Sequence, residues 1–296
     1  MGTLENKGIE FALTTRNFVG AFTWTTTFNA ARNANEITSL KGQSIAGRFL
    51  SRAQEGYPLG TFFGPEYAGV DPADGKALYY VNKPATDPLS AATTDHSSGT
   101  TNDINKAQSV AVGNPNPKWT GGFTNTFTFK GIDLSTTFVG VSGNQIFDGA
   151  AQFSSVGFNN GEDNQTRDQL RRWQKAGDIT DVPRASLSGG NGTGNSSRFV
   201  HDGSYIRLRT LTLGYNLPSA LAKKGYLQSA RVYAQVLNLL TFTKYTGADP
   251  EVNTDFSAST GNLGEVTATQ ANISQGIDYY SIPQPRTITF GVNIGF

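Results

Sequence analysis

The chain has 296 residues and a net charge of +1, with no cysteine, one methionine and two histidines. The absence of cysteine excludes disulfide bonds, the two histidines leave little room for zinc or haem, and the balanced charge gives no sign of a nucleic-acid partner, so no cofactor is expected. Aromatic residues make up 11% of the chain and glycine occupies 34 positions, a composition that favours strands and turns over helices. No apolar run approaches the ~18 residues of a membrane helix.

Seven segments alternate apolar and polar residues with the period of a β-strand. They span residues 8–16, 20–31, 118–129, 132–141, 204–215, 230–238 and 286–296. The last is the most regular, because one of its faces carries only Ile288, Phe290, Val292, Ile294 and Phe296. Such a face needs a continuous apolar surface to meet, either a protein core or lipid. The same alternation predicts a set of outward-pointing aromatic residues: Phe11, Trp24, Phe127, Phe138 and Phe290.

The fifth predicted strand changes the face of its apolar residues partway along. Ile206 and Leu208 share one parity, whereas Leu211, Leu213 and Tyr215 share the opposite one. This change predicts a β-bulge near residues 209–211. It also turns two further residues toward a wet interior, which makes them candidates for the lumen of a barrel: Arg207 and Arg209. A misassigned register is the alternative.

The connections between the predicted strands alternate between short and long. Residues 17–19 and 130–131 are tight turns, whereas more than eighty residues separate the second strand from the third. Residues 33–116, which are punctuated by proline and glycine, are expected to form one external excursion without a full-length strand. Long loops gathered at one end of an antiparallel sheet are typical of an outer-membrane β-barrel. A soluble or surface-exposed β-sandwich that binds carbohydrate is the alternative.

The predicted loops are rich in aromatic residues, which either contact a substrate or partner or pack the loops into a compact cap. The candidates for such contacts are Tyr57, Phe62, Tyr67, Tyr79, Tyr80, Trp173, Tyr245, Tyr279 and Tyr280. Residues 163–175 are predicted to form a short amphipathic helix, with Leu170 and Trp173 on one side. Residues 71–75 (DPADG) favour a β-turn over a calcium loop, because Asp-Gly supplies the positive φ and the glutamate that closes a twelve-residue calcium loop is missing.

No motif for catalysis stands out, so the sequence predicts that the chain is not an enzyme. His96 and His201 lie far apart in sequence and are expected to be solvated loop histidines. The sequence contains no nucleophile elbow, phosphate loop or dinucleotide fingerprint. Carboxylates are scattered through the loops without singling out a pair, and a secreted glycosidase is a third alternative that spacing alone does not test.

Several segments together resemble the C-terminal part of SusC/RagA-type, TonB-dependent outer-membrane transporters. They are residues 6–10 (NKGIE), 29–38 (NAARNANEIT), 56–60 (GYPLG), 113–119 (GNPNPKW), 202–218 (DGSYIRLRTLTLGYNLP), 238–245 (NLLTFTKY), 249–251 (DPE) and 285–296. Their order and rough spacing match along nearly the whole chain. Seven antiparallel strands leave two open edges, which are prohibitive in lipid, so physical reasoning also favours a fragment of a larger barrel.

The resemblance implies an antiparallel transmembrane barrel of 22 strands in the cell outer membrane, of which residues 1–296 are the C-terminal part. The plug domain and the signal peptide are expected to lie outside this chain. The implied partners are a SusD-like surface lipoprotein, the TonB complex, outer-membrane lipid and the barrel-assembly machinery, which would read the strand that ends at Phe296. Family members import oligosaccharides, peptides or similar large nutrients with energy delivered through TonB.

Overall fold

The computed structural model describes residues 2–85, 91–157, 164–187, 190–252 and 272–296, which are mostly β-sheet. Seven long strands form one sheet in chain order, each antiparallel to the next. They are β1 (Thr3–Phe18), β2 (Phe22–Ser39), β3 (Trp119–Phe129), β4 (Ile132–Ser142), β5 (Tyr205–Asn216), β6 (Ser229–Thr243) and β7 (Thr287–Gly295). The predicted seven strands are confirmed, and the sheet is open, with β1 and β7 at its edges.

Strands β1, β2 and β6 extend well beyond their predicted ends. β1 and β2 remain paired as far as Thr3 and Ser39. In the added portion the side chain of Asn35 donates a hydrogen bond of 2.8 Å to Asn6 on the neighbouring strand. Polar cross-strand pairs of this kind stabilise a sheet without the apolar alternation that marks a strand in the sequence. β6 likewise continues past Asn238, which interrupts its regular backbone with a φ of 54°.

One face of the sheet is apolar along all of its strands and is called the apolar face below. Cross-strand pairing places Trp24 beside Phe127, and the two rings stack with centroids 5.6 Å apart. The apolar face includes the five aromatic residues predicted to point outward: Phe11, Trp24, Phe127, Phe138 and Phe290. Thr124 and Thr126 lie on the opposite face, called the polar face, so the predicted separation of the two faces is confirmed.

Asn125 is a polar exception on the apolar face and is only 8% exposed. Its Oδ1 accepts a hydrogen bond of 2.9 Å from the indole N–H of Trp24 and one of 2.8 Å from the hydroxyl of Thr26. These donors satisfy the amide oxygen from within the sheet. The buried polar group is therefore compatible with apolar surroundings.

The change of face in β5 is produced by the predicted bulge. The pairing of β5 with β6 shifts register between Leu208 and Thr210, and the pairing of β4 with β5 shifts at the same level. Arg209 has no partner in either ladder. Because of the extra residue, Leu208 and Leu211 both point to the apolar face although their parities differ.

Three loops leave the same end of the sheet, and they are called the first loop (residues 40–118), the second loop (143–204) and the third loop (244–286). Within the described residues of the first loop no strand exceeds four residues, so the expected absence of a full-length strand holds there. The excursion begins at residue 40 and not at residue 33, because residues 33–39 continue β2. Its short strands are Ile45–Ala46, Ser51–Ala53, Thr61–Gly64, Tyr67–Val70, Ala77–Tyr80, Thr100–Thr101 and Val110–Gly113. Gln145–Asp148 and Val200–Asp202 of the second loop form a small sheet with Ile277–Asp278 of the third.

The described helices are short. They are the α-helices Ala151–Ser154 and Ser219–Lys224 and the 3₁₀ helices His96–Ser98, Ile104–Lys106, Arg167–Arg171 and Ser197–Phe199. Among the residues that the structure describes, no helix is long and apolar enough to cross a membrane.

The predicted amphipathic helix over residues 163–175 is wrong, although residue 163 itself lies outside the described residues. The segment contains a single 3₁₀ turn at Arg167–Arg171, and Leu170 is exposed there. Trp173 leaves this turn to pack on the predicted β-turn at residues 71–75, where its indole donates a hydrogen bond of 3.0 Å to the carbonyl of Pro72. The ring lies so close to Gly75, whose φ is 74°, that a Cβ there would be 2.5 Å away.

Candidate functional site

The three loops pack against one another around a common apolar cluster. Phe62 of the first loop, Phe147 and Phe199 of the second and Ile277 of the third are all buried in it. The ring centroids of Phe62 and Phe147 are 6.3 Å apart. Loops that share a core hold one another in place, so they form a single structure, called the loop cap below.

The loop cap contains a cleft of about 950 Å³ to which all three loops contribute. Its walls mix acidic, basic and aromatic side chains, among them Tyr67, Asp148, Arg171, Arg198, His201 and Tyr280. A cleft of this size and chemistry suits a ligand that carries charges of both signs.

Two acids, the buried Asp278 and the partly buried Asp148, lie at one side of the cleft. The hydroxyl of Tyr245 donates a hydrogen bond of 2.7 Å to Asp278, and the backbone N–H of Ala151 donates one of 2.9 Å to Asp148. Burial raises the pKa of Asp148 to about 6, and the nearby carboxylate of Asp278 adds to the increase. Burial also raises the pKa of Tyr245. This side of the cleft therefore gains or loses a proton close to neutral pH.

Arg198 brings a positive charge to the cleft. Its guanidinium donates hydrogen bonds of 2.8 Å to the carbonyl of Gly192 and 2.6 Å to that of Ser155, and it lies 5.1 Å from the ring centroid of Phe199. Burial lowers its pKa. Within the described part of the chain no carboxylate is in ion-pair contact with Arg198, although Asp168 and Asp181 lie near enough to attract its charge. An anionic group that enters the cleft would make a direct ion pair with this guanidinium.

The predicted aromatic contacts are only partly brought together. Tyr67 and Tyr280 line the cleft, and Tyr280 is more than half exposed. Phe62, Tyr79 and Tyr245 are buried, so their rings pack the loop cap. The others lie elsewhere in the cap: Tyr57 against Phe63, Tyr80 stacked on His96, Tyr279 against Phe49, and Trp173 on the turn at residues 71–75.

His201 corrects one sequence prediction. It is not a solvated loop histidine, because it lies in the short strand Val200–Asp202, lines the cleft and has its pKa lowered by burial. His96 is closer to the expectation: it is exposed, with Nε2 2.9 Å from the carboxylate of Glu66. Sequence reasoning also missed Asp148, Asp278 and Arg198. They come from short strands and turns separated by tens of residues, and no spacing connects them.

The two arginines of the bulge form an ion cluster with the third loop on the polar face. Arg207, which is 2% exposed, donates from Nε to the hydroxyl of Thr241 at 3.0 Å and from Nη1 to Glu251 at 2.9 Å, and its Nη2 bonds to Asp249. Arg209 donates from Nη2 to both carboxylate oxygens of Glu251, at 2.6 and 2.8 Å. The cluster fastens the start of the third loop to the sheet.

Asp249 also fastens the far end of the third loop. Its Oδ2 accepts a hydrogen bond of 2.9 Å from the backbone N–H of Gln284, and its Oδ1 accepts one of 2.8 Å from that of Glu251. Both ends of the loop are thus held by one buried carboxylate. Among the described residues no group of three or more His, Asp or Glu side chains is arranged as metal ligands.

The chain is similar to curated proteins along its whole length. It is 35% identical over 311 aligned residues to TonB-dependent receptor P3 of Formosa agariphila, and 31% identical to TonB-dependent receptor P26 of the same organism. It is 27% identical over 88% of its length to TonB-dependent receptor SusC of Bacteroides thetaiotaomicron. The chain belongs to the SusC/RagA-type TonB-dependent receptors. It spans 29% of the length of P3 and of P26 and 25% of that of SusC, and no protein-family model matches it.

Solved structures support the same family. The whole chain superposes on 30% of a chain in the structure of the RagAB peptide transporter, with a TM-score of 0.77 and 25% identity. The match to the RagAB peptide importer in its 'closed-closed' state has the same values. The likeness confirms the predicted all-β fold as an antiparallel segment of a RagA-type barrel. An open sheet is expected when a chain covers under a third of its relatives' length.

Proposed function

We propose that this chain supplies wall strands and surface loops to an outer-membrane receptor that imports peptides or similar large nutrients with energy delivered through TonB. In this proposal residues 1–296 are the C-terminal part of the barrel, and the plug that contacts TonB is supplied by the remainder of a longer receptor. Catalysis has no place in the mechanism. The relatives named TonB-dependent receptors support the proposal.

The dimensions of the apolar face support its contact with lipid. On β3 this face begins at Trp119 and ends at Phe129, ten residues later. At ~3.3 Å per residue the strand is about 33 Å long, and a tilt of ~40° reduces its height to about 25 Å. This is the height of the apolar band of outer-membrane barrels, whose two edges carry aromatic girdles. Trp119 and Phe129 occupy those edges, so the loop cap lies outside the membrane.

The observation that carries the substrate proposal is the cleft that the three loops share. Arg198 offers a cation in direct contact with no carboxylate of the described residues, whereas Asp148 and Asp278 offer acids, and Tyr67 and Tyr280 add aromatic surface. A peptide presents charges of both signs together with apolar side chains, so it can satisfy all of these groups. The structural neighbour described as a peptide transporter favours the same class. An oligosaccharide is the second candidate, because exposed Tyr280 lies beside Tyr279 and offers a stacking surface.

The loop cap is also the proposed contact surface for a SusD-like lipoprotein. Ile179, Leu187 and Ile282 are large apolar residues of the second and third loops whose side chains are almost fully exposed. Side chains of this kind suit the core of a protein interface, where apolar residues are buried. The peptide would then be enclosed between the cleft and this partner.

The proposal is tested in the full receptor with two matched tyrosine variants. Tyr280 lines the cleft and is 54% exposed, whereas Tyr226 lies at the opposite end of the sheet and is 96% exposed. Both have a left-handed backbone, with φ of 54° and 60°. Tyr280→Ala should weaken binding of a mixed peptide pool about tenfold, and Tyr226→Ala should leave it unchanged.

The measurement is the affinity of the purified receptor for a peptide pool and for an oligosaccharide pool in parallel. Tighter binding of oligosaccharides would replace peptide by the second candidate. Equal loss in both tyrosine variants would remove the cleft from substrate binding. Turnover of either pool that Asp148→Asn abolishes would contradict a role without catalysis.

A further inference from the structure

The apolar face contains a groove of about 290 Å³ near the loop end of the sheet. Its floor is formed by Ala30, Gly121 and Gly140, which are neighbours across β2, β3 and β4. Larger apolar side chains surround this floor: Phe28, Trp119, Phe123, Phe138 and Ile206. Because the three floor positions carry at most a methyl group, the larger side chains around them border a channel.

A cation, Arg32, stands at the loop-side end of this groove. Arg32 is paired across the strands with Trp119, and its guanidinium carbon lies 5.9 Å from the centroid of that ring. Lys7, on the same face of β1, forms an ion pair of 2.9 Å with Glu5. Arg32, in contrast, forms no ion pair or side-chain hydrogen bond with any residue in the described ranges. The groove therefore has an apolar channel below and an unneutralised charge above.

We propose that this groove binds lipopolysaccharide, with one acyl chain in the channel and a phosphate of the lipid on Arg32. The inference rests on the membrane placement given under the proposed function, which puts the loop end of the sheet in the outer leaflet. There the order of chemistry in the groove, charge outside and apolar surface inside, matches an anionic acylated lipid that stands in the leaflet.

The depth of the groove agrees with a lipid of one leaflet. From the level of Trp119 to that of Phe123 the strand advances four residues, or about 13 Å, which a tilt of ~40° reduces to about 10 Å of depth. Half of the apolar band of ~25 Å is about 12 Å. An acyl chain that enters at the level of Arg32 is thus accommodated without crossing the bilayer midplane.

Two pairs of variants in the full receptor test the groove and the cation separately. Ala30→Leu fills the channel, and its control is Ala234→Leu, the same substitution on the apolar face of β6 between Leu213 and Phe290. Arg32→Gln removes the cation, and its control is Lys130→Gln. Lys130 also lies over an aromatic ring, 5.2 Å from the centroid of Phe129, but at the opposite edge of the apolar face.

The probe is purified deep-rough lipopolysaccharide, titrated onto each detergent-purified receptor, with phosphatidylglycerol and inorganic phosphate in parallel. Heat-modifiable electrophoretic mobility shows that every variant is folded. Lipopolysaccharide should bind about fivefold more weakly to Arg32→Gln, and at least as much more weakly to Ala30→Leu, while both controls bind as the original receptor does.

Each contrary result has a definite reading. Unchanged affinity of Ala30→Leu or Arg32→Gln overturns the proposal, and so does an equal loss in the controls. Phosphatidylglycerol that binds as tightly as lipopolysaccharide refutes the outer-leaflet source. Peptide binding is measured on the same samples and should be unchanged by Ala30→Leu. A receptor that binds the lipid in the groove and binds no peptide would contradict the proposed function but would still support lipid binding in the groove.

Discussion

Replacing Arg207 by methionine should release the third loop from the sheet. The guanidinium of Arg207 is buried and pairs with Asp249 and Glu251. Its removal leaves the carboxylate of Asp249, which is 6% exposed, without a cation. Breaking one side of a buried ion pair costs about 3–5 kcal/mol. The low end applies here, because Asp249 keeps its two backbone N–H donors and Glu251 keeps Arg209.

The assay is hydrogen exchange of the backbone amides of Glu251 and Gln284, since both donate to Asp249. A loss of about 3 kcal/mol in local stability raises their exchange rates by about two orders of magnitude. The double variant Arg207→Met/Asp249→Asn should recover only part of this loss. It removes the uncompensated charge, but asparagine has one accepting oxygen, so one of the two amides keeps its acceptor and the other faces the side-chain NH2.

Arg231→Met is the matched control for this prediction. Arg231 pairs with Asp133 at 2.6 Å on the same polar face, but close to the short turn between β3 and β4. Its removal should leave the amides of Glu251 and Gln284 unchanged. The reasoning is refuted if these amides exchange at the original rate in Arg207→Met, or if Arg231→Met accelerates them equally.

Three further predictions concern the loop cap, the terminal strand and the apolar face. The pKa of Asp148 in the folded state, about 6, lies above its ordinary value of 3.8, so binding of a proton to this carboxyl favours the folded state. The stability gained in this way is fully present below pH 3.8 and is lost as the pH rises through 6. Asp148→Asn should therefore stabilise the loop cap by up to about 3 kcal/mol at pH 7.5 and by little at pH 4, measured by amide exchange at both pH values; equal effects would contradict the shift. Phe296→Ser should lower the level of the full receptor in fractionated outer membranes if the assembly machinery reads this exposed terminal aromatic; an unchanged level and assembly rate leave Phe296 a packing role only. Asn125→Leu should leave the indole N–H of Trp24 without its acceptor and cost about 1–3 kcal/mol in denaturant unfolding, whereas Thr136→Leu, at the cross-strand neighbour on β4, should cost less; the reverse order would show that the hydrogen bond contributes little.

The strands were predictable because each must present one continuous apolar face. The alternation of Ile288, Phe290, Val292 and Ile294 identifies β7 without further information, and the break between Leu208 and Leu211 reveals the bulge. Alternation of apolar and polar residues does not identify a strand when both faces of that strand are polar. The outer parts of β1 and β2 pair through residues such as Asn6 and Asn35, which the sequence does not distinguish from a loop.

The cleft was not predictable, because its chemistry depends on contacts between loops. Asp148 and Asp278 meet only through the small sheet in which Phe147 pairs with Ile277. Burial in that sheet, rather than the residue type, brings the pKa of Asp148 close to neutral. The spacing of Leu170 and Trp173 fits a helix and led to a wrong prediction. In the structure Trp173 packs instead on the turn at Gly75 and donates a hydrogen bond to the carbonyl of Pro72.

The bulge connects the wall of the sheet to the loop cap. The extra residue in β5 lets Leu208 and Leu211 both reach the apolar face while Arg207 remains on the polar one. At the same level Asn238 of β6 adopts its left-handed backbone, accepts a hydrogen bond from Arg209 and donates one of 3.1 Å to the carbonyl of Pro285. In a regular ladder Arg209 and Asn238 would each face a cross-strand partner. The bulge leaves both residues outside the ladder, so their side chains can make these contacts. The bulge therefore removes ladder hydrogen bonds from the sheet but helps to hold both ends of the third loop. This loop contributes Tyr280 and Asp278 to the cleft.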